Sequence, residues 1–463
     1  MEKEEFEVIH SKKIMISYNF GSFCREFIAM AFAVLVFFYY EVEIGLNVWI
    51  LGLGLTIFAI YNAINDPLLG YLTNRPFKFT RKWGRRLPWM LLGGLPLGFS
   101  YFLIFIPPNV DPKAGAWILF GWLVFTTCLF DTFHSIFFVN YQALFPDKFR
   151  SVKERRTVVG FQVILGAIGV ALGAILPPLL ITFGDLESYI FQGFVVFVIG
   201  LVTIIFAIPG WREDPKMIER YLESVQEKVE TPFISATKQA FKQKAFVGYI
   251  VLYTMYFVII NSMQASLPYV VLFILKMPAG ATSLIMAGFL LGAMISVPIW
   301  VKIAQKTNDN RKIMLVTSIL MGFFVFPLAF IQDYYLMAFG VFIWGLAQGG
   351  YWAMIFPTFS DVIDESVVLH EKREEGTYIG IQQFFGRLGL IIQVMSFAIV
   401  HTLTGFVEGS KTQTPLAIWG IRVHLAIIPG IAIILGALVF WKMYDLNPRR
   451  VSENQLKIQQ LKL

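Results

Sequence analysis

Apolar stretches of roughly 18 residues or more recur along almost the whole of this 463-residue chain, each long enough to cross a bilayer as a helix. Hydrocarbon offers backbone N–H and C=O groups no partners, so a chain of this kind must satisfy them within each segment or in a closed barrel. Segments of this length select helices. Twelve can be counted, at residues 20–40, 46–73, 88–106, 116–145, 157–183, 189–209, 245–275, 279–301, 312–331, 334–360, 376–405 and 416–443. Charged residues make up 15% of the chain, against about 25% in a soluble protein. The expected fold class is an all-α integral membrane protein with about twelve transmembrane helices.

Basic residues set the expected orientation. The connections after even-numbered stretches carry Arg75, Lys82, Arg85 and Arg86, then Lys148, Arg150 and Arg155, then Arg212 to Lys244, then Lys302, Arg311 and Lys312, and finally Lys372 and Arg373. Those after odd-numbered stretches hold only Lys113, Lys276 and Lys411. By the positive-inside rule both termini and the even connections are cytoplasmic, as in a multi-pass protein of the cell membrane. The same distribution accounts for the formal charge of +7, so no nucleic-acid partner is expected. The acidic start, Met1-Glu-Lys-Glu-Glu-Phe-Glu, lacks the pattern of a cleavable signal. Cys24 and Cys128 both fall in apolar runs and read as small packing residues.

The longest polar interruption separates six stretches from six. It divides the chain into an N-terminal bundle at 1–209, a linker at 210–244 and a C-terminal bundle with a cytoplasmic tail at 245–463. Thr231-Pro232 opens a segment with Phe233, Ala236, Ala240 and Phe241 on one face and Lys238, Lys242 and Lys244 on the other. This reads as an amphipathic helix on the membrane surface or as a solvated linker. The halves repeat weakly: Gly70-Tyr-Leu-Thr-Asn-Arg75 follows the second stretch and Lys302-Ile-Ala-Gln-Lys-Thr-Asn-Asp-Asn-Arg-Lys312 the eighth. Duplicated halves suggest a transporter whose bundles rock about a central site. The pairs Gly169/Gly173, Gly288/Gly292 and Gly345/Gly349 are spaced to let helices approach closely.

Ionisable groups inside these stretches are expensive and therefore candidates for function. In Tyr61-Asn-Ala-Ile-Asn-Asp-Pro-Leu-Leu-Gly70, helical spacing puts Asn62, Asn65 and Asp66 on one face. Pro67 leaves the carbonyl of Ala63 without its helical partner. These hard oxygens, with Asp66 as the cluster's single carboxylate, suit Na⁺ or a proton; a kinked helix with a satisfied polar patch is the competing reading. Arg25 and Glu26 read either as substrate ligands or as an interfacial pair. Asp131 and His134, at i and i+3, are candidate substrate ligands that could also relay a proton, bond each other or link helices structurally. Arg387 lies deep enough to need a partner, for which Asp66 or Glu26 is a candidate. Tyr351 and Trp352 could stack on a sugar ring, and His401 and His424 are expected at the membrane interface. Asp361, Asp364, Glu365, Arg373, Glu374 and Glu375 flank the ends of stretches ten and eleven as either a gating ion-pair cluster or a solvated charge run. No nucleophile elbow, metal-ligand cluster or phosphate loop is visible, so an enzyme is not expected.

Several motifs, in order, carry a family resemblance. They are Ser17-Tyr-Asn-Phe-Gly21, Asn65-Asp66-Pro67-Leu-Leu-Gly70, Trp83-Gly84-Arg85-Arg86-Leu-Pro88-Trp89 and Tyr141-Gln-Ala-Leu-Phe-Pro146. Lys238-Gln-Ala-Phe-Lys-Gln-Lys-Ala-Phe246, Asp361-Val-Ile-Asp364-Glu365 and Arg373-Glu-Glu-Gly-Thr-Tyr-Ile-Gly380 complete the set. Together they resemble the glycoside–pentoside–hexuronide:cation symporters of the major facilitator superfamily, whose best-known member is melibiose permease. The resemblance implies two pseudo-symmetric six-helix bundles, a midplane cavity, and symport of a small solute with Na⁺ or H⁺ by a monomer without a cofactor. It places Asn65 and Asp66 at cation-site positions, with Asn62 where that permease has a second Asp, and Ser135 near a hydroxyl position on the fourth helix. It also matches Arg25 and Glu26 to a basic–acidic pair, Trp352 to an aromatic beside the sugar and Arg387 to a basic residue of the eleventh helix. The sugar-gripping Asp of the fourth helix is replaced by Phe138. The run Cys128-Leu-Phe-Asp131-Thr with His134 resembles the lysophosphatidylcholine symporters instead, leaving an amphiphile as the alternative solute. A sensor that binds ligand without transporting it is a third reading.

Overall fold

The computed structural model describes residues 10–73, 77, 79–214, 217–218, 240–370 and 375–461. Among them, twelve helices are long and apolar enough to cross a membrane, and no strand occurs. The first six are α1 (Lys12–Glu43), α2 (Val48–Thr73), α3 (Leu87–Ile104), α4 (Ala116–Lys148), α5 (Val152–Leu180) and α6 (Leu186–Trp211). The second six are α7 (Lys244–Ile274), α8 (Ala281–Thr307), α9 (Asn310–Ala329), α10 (Tyr334–His370), α11 (Glu375–Thr404) and α12 (Pro415–Met443). A shorter helix, α13 (Pro448–Leu461), follows. Large apolar side chains such as Trp117, Phe356 and Leu403 stay exposed.

Two ends differ from the sequence expectation. The first helix starts at Lys12, because Ser11 Oγ accepts from Ile14 N and the segment with Ser17 and Asn19 is helical although these residues lower the hydropathy. Helix α10 runs on to His370, so Asp361, Asp364 and Glu365 sit on its last turns. Residues 219–239, which hold most of the segment expected to form an amphipathic helix, lie outside the described residues, as do Arg373, Glu374 and the side chain of Glu375, while Ala240 to Gln243 lead by a turn into α7.

The chain divides into two compact units, Met1–Val229 and Glu230–Leu463. In the first, α1 packs on α5 and α6, α3 on α4 and α6, and α2 on α4. In the second, α7 packs on α11 and α12, α9 on α10 and α12, and α8 on α10. Adding six to each helix number of the first set yields the second. Each unit also ends its first helix in a π-turn, Tyr39–Glu43 and Val270–Ile274. The repeat that is faint in sequence is therefore complete in helix pairing.

The glycine pairs explain how the closest of these helices meet. A Cβ at Gly173 on α5 would lie 2.3 Å from the Phe27 carbonyl oxygen of α1, and one at Gly292 on α8 only 2.2 Å from that of Phe342 on α10. Backbone, rather than a movable side chain, fills each space. Gly292→Leu is expected to cost about 1–3 kcal/mol or more by forcing α8 off α10. Thermal unfolding of the purified protein in detergent measures this, and a melting temperature equal to wild type would contradict the contact.

Candidate functional site

Helices α2 and α4 run side by side in the same direction. A Cβ at Gly54 would meet Leu123 and one at Gly70 would meet Val139, and both pairs differ by 69 in number (123 − 54 and 139 − 70). A constant difference over this length means a parallel pair, and it brings the polar face of α2 onto a polar face of α4. The Asn62 side-chain amide donates to Asp131 Oδ1, and Asn65 Nδ2 donates to Asp131 Oδ2 at 3.1 Å. Ser135 Oγ donates to Asp66 Oδ1 at 2.5 Å. The Tyr61 hydroxyl donates to Thr132 Oγ1 at 2.8 Å, since Thr132 spends its own proton on the Cys128 carbonyl.

This arrangement corrects one sequence expectation. Asp66 is not the lone carboxylate of its cluster, because Asp131 joins the same face through Asn62 and Asn65. Helical spacing on α2 could not show this, since the second carboxylate comes from another helix. Asn65, Asp131 and Ser135 are 4%, 2% and 1% exposed, whereas Asn62 and Asp66 are half-buried. With each amide nitrogen engaged on Asp131, the Asn62 and Asn65 carbonyl oxygens remain as neutral acceptors beside two carboxylates. Oxygen ligands of this type suit a hard cation, and the carboxylates equally suit a proton.

Beside this cluster, α4 carries a ladder of rings. His134 stacks between Phe130 and Phe138, with centroids 6.2 and 5.7 Å away, and Phe138 continues to Tyr141 at 6.4 Å. The Arg25 guanidinium of α1 lies 3.8 Å above the Phe138 ring, and its Nη1 donates to Glu26 Oε1 at 2.6 Å. Both charged side chains remain about a third exposed, at 35% and 30%, so the pair is reachable. Glu26 thus has a basic neighbour on its own helix.

In the second unit, Trp352 is half-buried and its indole Nε1 donates to the Tyr256 hydroxyl at 2.7 Å, which also accepts from Gln348 Nε2. Tyr351 is fully buried and stacks on Tyr256 at 4.2 Å, so it is a packing residue and not a sugar platform. Arg387 lies half-buried on α11. His401 and His424 are buried in the second unit, at 1% and 0% exposure.

The acidic residues of α10 form a network inside the second unit. Glu365 is nearly buried, accepting from Gln243 Nε2 at 2.6 Å and pairing with Arg450 Nη2 of α13 at 2.6 Å. Arg450 also binds Asp445, and Asp361 Oδ2 accepts from Asn310 Nδ2 at 3.0 Å. Gln243 reaches back to the Val362 carbonyl and accepts from the Tyr378 hydroxyl. Burial pushes the Tyr444 phenol well above its ordinary range, so it stays a donor to the Thr358 carbonyl. Arg450 escaped the sequence reading because it lies beyond the last apolar stretch, among residues that read as tail. Gln243 stands within the Lys238–Phe246 motif, which was the available signal. Glu365→Ala is expected to free α13, losing charge-assisted bonds worth about 1.5–3 kcal/mol each. Limited proteolysis after Met443 reads this out, and an unchanged cleavage rate would argue against the tether.

The family model described as MFS/sugar transport protein matches residues 17–448. The chain belongs to that family. An uncharacterized symporter of Synechocystis is 22% identical, covering 93% of this chain and 94% of that protein. The sodium-dependent lysophosphatidylcholine symporter 1-A of Danio rerio is 30% identical over 113 residues, which is 24% of this chain and 20% of that protein. The solved structure of the xylose transporter XylE from E. coli matches with a TM-score of 0.62 over 95% of this chain and 98% of that chain, at 14% identity, which shows the shared fold. This family member is therefore a multi-pass membrane transport protein, and its symporter relatives support cation-coupled symport.

Proposed function

We propose that this symporter couples Na⁺ or H⁺ to the uptake of a sugar, glycoside or related small solute through the polar face shared by α2 and α4. The observation carrying this reading is the link of Asp66 to Ser135 and of Asp131 to Asn62 and Asn65. Two carboxylates, two amide oxygens and a hydroxyl meet there, a set of hard oxygen donors that suits a small cation or a proton. Cation binding on this face would tie α2 to α4, and α4 carries Phe138, stacked on His134, over whose ring lies Arg25, the partner of Glu26. An ion bound at one end of this ladder thus biases the substrate groups at the other, and the coupling must be reciprocal.

For the solute, Glu26 and Arg25 would bond hydroxyls, and Trp352, oriented by Tyr256, would offer an aromatic face. Arg387 would supply a further donor. Asp361, Asp364 and Glu365, with Arg450 as the basic partner, would serve gating; Arg373 and Glu375 were expected to join them. Both termini and the basic connections would be cytoplasmic, in the cell membrane. A second reading, import of a lysolipid or other amphiphile, is favoured by the aromatic run Phe130–His134–Phe138 and by the local similarity to the Danio rerio symporter. Proteoliposomes under imposed Na⁺ or proton gradients, offered glycosides and lysolipids in parallel, test both. Glycoside accumulation supports the first, lysolipid accumulation the second, and no gradient-driven accumulation of any solute opposes both.

A further inference from the structure

Unmet polar capacity gathers where α7 and α10 of the second unit meet, around a tyrosine that the cation face does not use. The Tyr256 hydroxyl accepts at 2.7 Å from Gln348 Nε2 and at 2.7 Å from Trp352 Nε1. A phenol oxygen has two lone pairs and one proton, so both acceptor positions are filled and the proton is left for another acceptor. Gln348 Oε1, on the same amide, is buried with no hydrogen-bond partner. Tyr256 is 4% exposed and Gln348 0%, so neither group finds relief in bulk water. Turning the amide over would satisfy Oε1 on the Tyr256 proton but leave Nε2 as the orphan. Polar capacity stays unmet in either orientation.

Such capacity is costly unless something meets it, because an unsatisfied buried polar atom forfeits the hydrogen bonds it had in water. Beside it stands a ring set to receive a ligand. Trp352 is half-buried, its N–H fixed on Tyr256 and its ring edge-to-face with Phe289 of α8 at 6.1 Å. Tyr351 backs the Tyr256 ring, stacked at 4.2 Å. With its N–H spent, the indole can offer a solute only its face, and directional bonding falls to Tyr256 and Gln348. Charge sets the class of partner. Residues 245–275 of α7, 281–301 of α8 and 334–360 of α10 contain no Lys, Arg, Asp or Glu. A phosphate or ammonium headgroup would find no counter-charge on these stretches, whereas a hydroxyl both donates and accepts.

We propose that Tyr256 and Gln348 form a hydroxyl-recognition subsite that fixes which ring position of an uncharged, sugar-like solute this symporter accepts. The inference rests on the reading of the solute as a sugar or glycoside. Gln348 and Trp352 stand at i and i+4, on one face of α10, and the half-buried Trp352 marks the side from which a solute approaches. A solute hydroxyl accepts the Tyr256 proton and donates its own to Gln348 Oε1, while the apolar face of the sugar ring lies on the indole. With the amide turned, the same hydroxyl accepts from Nε2. A site built to bond one hydroxyl rejects the analogue lacking it, because its buried groups are then left unpaired.

Full-length protein in proteoliposomes, energised by Na⁺ or proton gradients, is offered the methyl glycosides of glucose and galactose with each of their monodeoxy analogues. Wild type should lose about tenfold or more in kcat/KM on removal of one particular hydroxyl. Gln348→Met, close in volume but without the amide, should raise KM for the parent glycoside about tenfold and shrink that deoxy penalty to within about twofold. Its kcat should hold within about threefold, a split that a packing defect would not give. If Gln348→Met does not fold, Tyr256→Phe, which keeps the ring stacked on Tyr351, enters the same comparison with the same expected loss of discrimination. A full deoxy penalty in either folded variant, or a wild type that accumulates glycoside yet is indifferent to every single hydroxyl, overturns the subsite and leaves these groups to a buried water. No glycoside accumulation by wild type defeats the sugar reading itself, and this inference falls with it.

Discussion

Asp66→Asn protein, reconstituted and energised, is expected to accumulate no solute above the external concentration while still equilibrating it. A membrane potential of 100 mV on one coupled charge supplies about 2.3 kcal/mol, enough for roughly 40-fold accumulation. The variant should fall from that range to about onefold. Its asparagine oxygen can still accept from Ser135 Oγ, so the α2–α4 contact survives and the loss is in coupling, not in folding. Accumulation ratios from radiolabelled solute, compared with equilibrium exchange on the same vesicles, separate the two. Full accumulation in this variant would remove Asp66 from the cation path.

Asp131→Leu is expected to be worse, because it damages both structure and coupling. Asp131 is 2% exposed and is the acceptor for the Asn62 and Asn65 amides. Leucine removes both bonds and leaves Asn65, itself 4% exposed, with a buried amide that must find another partner. Bonds to a charged acceptor contribute about 1.5–3 kcal/mol each, so the thermal transition should drop by several degrees together with the loss of uptake. Asp131→Asn, which keeps one acceptor oxygen, should restore most of the stability but not the cation dependence. Cation-induced stabilisation in a thermal scan makes the distinction: wild type gains stability with the coupling ion and neither Asp131 variant does. A normal ion-dependent shift in Asp131→Asn would assign the cation to Asp66 alone.

Twelve helices, their order and the shared face of Asn62, Asn65 and Asp66 were legible without coordinates, because hydropathy and a spacing of three and four residues are local properties. Ser135 came from the family pattern, and its bond to Asp66 bears directly on the cluster. Other readings depended on partners far away in number. Asp131 was read with His134 as its neighbour on α4, whereas its named bonds come from α2. Glu365 was grouped with nearby charges, whereas its basic partner, Arg450, stands 85 residues further on. Tyr351 and Trp352 are adjacent in sequence and both aromatic, yet Tyr351 is sealed against Tyr256 while Trp352 stays half-buried.

The chain alone determined that it must cross a membrane many times as helices, since no other arrangement satisfies so long an apolar backbone in hydrocarbon. It also determined which few polar groups sit inside those helices. Only the tertiary structure decided how they combine. The parallel register of α2 and α4 places two carboxylates in one cluster, and the seam of α7, α11 and α12 buries two histidines together. Both follow from which helix faces meet, a choice made by close glycine contacts and side-chain packing between segments distant in the chain.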